Sequence, residues 1–197
     1  MNPNAIEKAE KRLRLAITHA NELPNSKSFT EFADHWYQYL VAFNNVLTLL
    51  KKGAKAAPSS RQWFGKKEAE RRQDQLVQYL FQARDDDEHG IGSVLTFTPA
   101  KAFFISDNAG DSSITLIDND GSASGTMNIK STDGKRVRVR LEIAQTALSK
   151  VTGRGPVEYL PPRIHNGKLL TDNSPAAVAN LGIAYLETVI REAKGMA

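Results

Sequence analysis

The sequence contains no cysteine. That removes disulfides, thiolate zinc sites, iron–sulfur clusters and cysteine nucleophiles, and it fits a reducing compartment. Nowhere do about 18 apolar residues run together as a membrane-spanning helix requires, and the stretch from Met1 to Lys8 lacks the apolar core of a secretory signal. The expectation is a cytoplasmic protein with no membrane partner. Glycine-rich phosphate loops, a serine–histidine–aspartate arrangement with flanking glycines, and internal repeats are also missing. No cofactor is expected. Charge of one sign is not in large excess either, since 26 basic residues stand against 22 acidic ones.

What is present is a globular composition, 41% hydrophobic and 24% charged over 197 residues. This length buries a core without a metal or disulfide staple, as one domain or two small ones. The first half reads as three helices. Asn2-Pro3 is an N-cap followed by proline in the first turn, and Ile6, Ala9, Leu13, Ala16, Ile17 and Ala20 form one apolar stripe up to Leu23-Pro24. Ser28-Phe29-Thr30-Glu31 is a capping box, and the helix it opens carries Phe29, Phe32, Trp36, Leu40, Phe43, Leu47 and Leu50 before Gly53. These aromatic spacings suit a bundle core, although the same rings could stack bases. Trp63-Phe64-Gly65 then leads into one charged helix with Leu76, Leu80 and Ala83 on a face and Gly90 as its stop.

After Gly90 the apolar period shortens from 3.6 to 2. Short runs at 94–98, 102–106, 113–118, 126–130 and 136–143, separated by Asp/Asn/Gly clusters, predict an antiparallel β meander. In the last run Val137, Val139, Leu141 and Ile143 alternate with Arg136, Arg138 and Arg140, so the apolar set is expected to face a core and the arginines water or a ligand. Ser174-Pro175 caps a C-terminal helix with Val178, Leu181, Tyr185 and Val189 on its stripe. The predicted class is α+β: a helical bundle portion (1–90), an antiparallel sheet portion (91–150), an irregular connection (151–173) and a C-terminal helix (174–197) that packs back.

Basic residues cluster twice. Lys51, Lys52, Lys55, Arg61, Lys66, Lys67, Arg71 and Arg72 face only Glu68 and Glu70 in their stretch, and Arg136, Arg138 and Arg140 form the second patch with Lys130. Lys51, Lys52, Lys66, Lys67, Arg71, Arg72 and the three strand arginines are therefore candidate contacts to a phosphate backbone, RNA in particular. Solvated helix faces and protected sheet edges produce the same pattern.

The most chemical constellation is Gln82-Ala83-Arg84-Asp85-Asp86-Asp87-Glu88-His89-Gly90. Histidine exchanges protons near neutral pH, and a guanidinium stabilises charge developing on phosphate. Arg84 and His89, five residues apart at the end of a helix, resemble the signature of the HEPN superfamily (higher eukaryotes and prokaryotes nucleotide-binding domains). The resemblance implies a metal-independent endoribonuclease or RNA-binding module of a toxin or defence type. Arg84 and His89 would be its catalytic residues, completed across a homodimer. The sequence departs from that pattern in the aspartate after Arg84 and in the β meander where another bundle helix would follow. The competing reading is a non-enzymatic dimerising scaffold for a protein partner, with Arg84 paired to Glu88 and His89 favoured at a helix C-terminus. The acidic run 85–88 opposes the helix macrodipole and so needs a use of its own. Pairing with Arg71, Arg72 or the basic stretch is one. A cation held by Asp85, Glu88 and His89, with His19 or His35 added, is another, though no recognised metal spacing supports it.

Overall fold

The structure is a computed structural model that describes residues 1–89, 93–106, 109–115, 138–152 and 157–197. It is α+β and helix-rich. Helix α1 (Pro3–Glu22) starts where Asn2 accepts the Asn4 amide (2.9 Å) and Pro3 takes the first helical position. A 3-10 turn, Leu23–Asn25, reverses the chain into α2 (Phe29–Ala54). The Ser28 hydroxyl accepts the Glu31 amide (3.1 Å), while the Glu31 carboxylate takes the Lys27 amide (2.8 Å) instead of that of Ser28, one residue earlier than in a standard capping box. The two helices form an antiparallel hairpin, in which the Asn2 amide meets the Gly53 carbonyl at 3.1 Å. Gly53 is required there, because a Cβ would lie 2.5 Å from the Cβ of Ala5.

The third expected helix is two helices, α3 (Pro58–Gln73) and α4 (Gln75–His89), broken at Asp74. Asp74 is extended (φ −86°, ψ 120°) and its carboxylate accepts the Val77 amide at 3.0 Å, so it acts as the N-cap of α4. The cap is locked from elsewhere in the chain, since the same carboxylate accepts from the Asn166 amide (2.7 Å) and meets His165 Nδ1 (3.0 Å).

Among the described residues every strand pairing is antiparallel. Strand β1 (Leu95–Thr98) pairs with β5 (Gln145–Leu148), and β2 (Lys101–Ser106) lies between β3 (Ala109–Thr115) and β4 (Arg138–Glu142). Segment 151–173 is more regular than expected. Two short hairpins occupy it, β6 (Val151–Thr152) with β7 (Glu158–Tyr159) and β8 (Ile164–His165) with β9 (Lys168–Leu169). The second turns on Asn166 (φ 50°) and Gly167 (φ 74°), the Asn-Gly pair that a two-residue hairpin loop favours. Ile143, expected in a core, is 77% exposed because it lies past Glu142, the last paired residue of β4. The run 126–130, Gly90 and Arg136 lie outside the described residues.

Helix α5 (Pro175–Lys194), capped by the Ser174 hydroxyl, packs on α1, α2 and α4. The core sits among these helices. Trp36, Tyr39, Leu40, Phe43 and Leu50 of α2, Leu76, Val77, Leu80 and Ala83 of α4, and Val178, Leu186 and Val189 of α5 are buried in it. Trp36, Tyr39 and Phe43 are thus spent on packing within the chain, each ring in contact with the next. Among the described residues no helix is long and apolar enough to cross a membrane.

Candidate nucleic-acid interface

Helix pairing determines which basic side chains meet. Because α1 and α2 run antiparallel, the first turns of α1 lie beside the last turns of α2. An open groove of about 570 Å³ between them is lined by Lys8, Lys11, Arg12 and Lys52, with Asn45, Thr48 and Leu49 along its wall. All four cations are exposed. Lys11 pairs with Glu7 at 2.6 Å, whereas Lys8, Arg12 and Lys52 make no ion pair among the described residues. Of these four, Lys52 alone belongs to the basic stretch that the sequence displays. On α1 the cations are interleaved with Glu7 and Glu10, so no run of one sign marks them. The signal that could have found them is helical spacing, since Lys8, Lys11 and Arg12 stand at i, i+3 and i+4 on one face.

The basic stretch 51–72 divides into four roles. Lys52, Lys66 and Arg72 are exposed and make no ion pair among the described residues. Lys51 is exposed but bonded to Glu68 at 2.6 Å. Lys67, only 11% exposed, ties α3 to α5 by bonding Glu70 and Glu192, each at 2.9 Å. Burial works against the Lys67 charge, but the bonds to Glu70 and Glu192 prevail and hold its ammonium above the ordinary lysine range. Glu192 also accepts from Trp63 Nε1 at 2.9 Å, so this cluster is part of the scaffold.

Arg71 turns inward. Its guanidinium carbon lies 3.7 Å from the ring centroid of Phe81 on α4, a cation–π contact, at the wall of a cavity of about 190 Å³. Burial pulls this group below its usual value, against the opposing charge of Glu68. The cavity and the groove meet at Thr48, which lines both.

The Arg84 and His89 pair lies elsewhere. Arg84 donates to Asp85 at 3.0 Å, and its side chain is about a third exposed. Both residues belong to α4, and five helical positions leave them roughly 140° apart around its axis. The side chains of Glu88 and His89 lie outside the described residues. Within the acidic run, Asp86 accepts from the Thr152 hydroxyl at 2.9 Å, which anchors the end of α4 to β6. Arg138 and Arg140 occupy β4 opposite Ile105 and Phe103; their side chains lie outside the described residues.

His19 and His35 bond each other, Nδ1 to Nδ1 at 3.1 Å, and among the described residues no three His, Asp or Glu side chains gather into a metal site. Comparison of the chain with protein-family profiles, with curated proteins and with solved structures finds no match.

Proposed function

We propose that the protein is an RNA-binding module whose contact surface is the groove between α1 and α2. The observation that carries this reading is the convergence of Lys8, Lys11, Arg12 and Lys52 on one open groove, three of them without an acidic partner among the described residues. Like charges held together cost free energy unless a polyanion or its counterions neutralise them, and a phosphate backbone does so along its length. Lys66 and Arg72, exposed on α3, extend the same sign of charge. All of these residues come from one chain, so the surface needs no homodimer. A scaffold that binds an acidic protein partner is the competing use of such a surface.

The test is fluorescence anisotropy with a labelled single-stranded RNA at low salt, comparing the parent with Lys8→Glu/Arg12→Glu. Binding by the parent and its loss in the variant support the reading. No binding by the parent overturns it in favour of the protein-partner scaffold. Cleavage of the RNA with EDTA present, abolished in His89→Ala, would replace it with the ribonuclease implied by the HEPN resemblance.

A further inference from the structure

The cavity bounded by α2, α3, α4 and α5 holds donors that have no acceptor among the described residues. Three cations line it, and two are taken: Lys51 by Glu68, Lys67 by Glu70 and Glu192. The third, Arg71, is partly buried and rests on the Phe81 ring, yet among the described residues its guanidinium has no hydrogen-bond acceptor. A guanidinium carries five N–H donors in a planar fork, and leaving them unpaired while partly withdrawn from water is costly. The wall also includes Tyr185 of α5, whose hydroxyl oxygen is buried without a hydrogen-bond partner among the described residues. Two donors of this kind in one wall call for an acceptor from outside.

The remaining wall decides what carries that acceptor. Leu47, Phe64 and Phe81 are apolar, Thr48 is neutral, and the Glu68 carboxylate in the wall is bonded to Lys51. The volume, about 190 Å³, is close to the ~150 Å³ cavity that accepts a single benzene ring. A polymer strand is too large to enter, and a metal cation would be repelled by Arg71. We propose that this cavity binds a small organic oxyanion, a carboxylate or phosphate on a body of about one ring, with the anion on Arg71 and the body against Phe64 and Phe81. Charge-assisted bonds to a planar fork suit either anion, and the aromatic wall excludes the bare inorganic ion as the preferred ligand. The inference is independent of RNA binding, because the cavity and the groove have only Thr48 in common among their lining residues.

Isothermal titration of the whole chain with benzoate and with phenyl phosphate tests this, with inorganic phosphate and phenol as the anion-only and body-only controls. One or both of the organic oxyanions should bind at least about tenfold more tightly than either control, a margin of about 1.4 kcal/mol. The one that binds assigns the anion. Arg71→Met keeps the stem on Phe81 and removes the fork, and it should weaken binding about tenfold or more, whereas Lys8→Glu/Arg12→Glu should leave it unchanged. Tyr185→Phe should fold with equal or higher thermal stability and bind several-fold more weakly; it decides the matter if Arg71→Met fails to fold. Benzoate and phenyl phosphate binding no better than the controls overturns the proposal. So does undiminished binding in Arg71→Met, or in Tyr185→Phe where that variant stands in for it.

Discussion

His19 of α1 and His35 of α2 face each other across the first helical hairpin with their Nδ1 atoms 3.1 Å apart. One ring must donate and the other accept, so the contact exists only while at least one imidazole is neutral. Burial, and then the charge of His35, push His19 below the usual histidine value, against the opposing pull of Glu22. The folded protein therefore takes up this proton less readily than the unfolded chain. Stability from the pair is complete above the unfolded value of about 6.5 and is lost as pH falls through it towards the depressed folded one. The midpoint of thermal unfolding should drop between about pH 7 and about pH 5.5, a window above carboxylate titration. In His19→Ala that drop should be flatter; an unchanged slope would assign the effect to other groups.

Asp74 joins helix to hairpin. Burial raises its carboxyl, but the hydrogen bonds from the Asn166 amide, His165 and the Val77 amide outweigh that and hold it below the ordinary aspartate range. Its contribution is present above the unfolded value and is lost in acid, as pH falls through the lowered folded value. Asp74→Ala removes a cap and leaves two backbone amides to find water, at a cost of about 1–3 kcal/mol in urea unfolding. Amide exchange should show the β8–β9 hairpin opening first in this variant. Protection there equal to that of the parent would mean that the hairpin holds itself.

How much of this could be read beforehand follows from where each signal resides. The caps at Asn2, Ser28 and Ser174 are local, with side chain and amide within three residues, and the sequence displays them fully. The break at Asp74 is not local, because what fixes it arrives with His165 and Asn166, 91 and 92 residues later. A charged stretch with continuous helical spacing gave no reason to stop. The basic groove was hidden for a related reason: Lys8, Lys11 and Arg12 join Lys52 only through the antiparallel packing of two helices. Lys67 shows the converse, since its place in a basic run pointed outward while Glu70 and Glu192 hold it in the scaffold.

Two glycines in helices should respond in opposite directions to alanine. At Gly182 of α5 a Cβ would collide with the Tyr39 hydroxyl and Leu80 Cδ1. Tyr39 is held in place by donating to the Ala179 carbonyl at 3.1 Å. Overpacking should cost Gly182→Ala about 1–3 kcal/mol, more than the gain in helix propensity of up to about 1 kcal/mol returns. Gly65 of α3 has nothing within 4 Å of the added carbon, so Gly65→Ala should stabilise by about 0.5–1 kcal/mol. Chemical denaturation of the two variants checks both signs. Equal effects would contradict the close approach of α5 to α2 and α4.

The salt dependence of RNA affinity measures the groove directly. Each phosphate neutralised on a single strand contributes a slope of about −0.7 to log K against log salt, so contacts by the four groove cations correspond to a slope of about −3. Lys8→Glu/Arg12→Glu exchanges exposed side chains, and such surface changes usually alter stability by no more than about 0.5 kcal/mol. It should reduce the slope by at least about 1.4, the share of two phosphates, and weaken binding to unrelated RNA sequences alike. A parent slope near zero, or one that the double variant leaves unchanged, would contradict the assignment of this groove to a phosphate backbone.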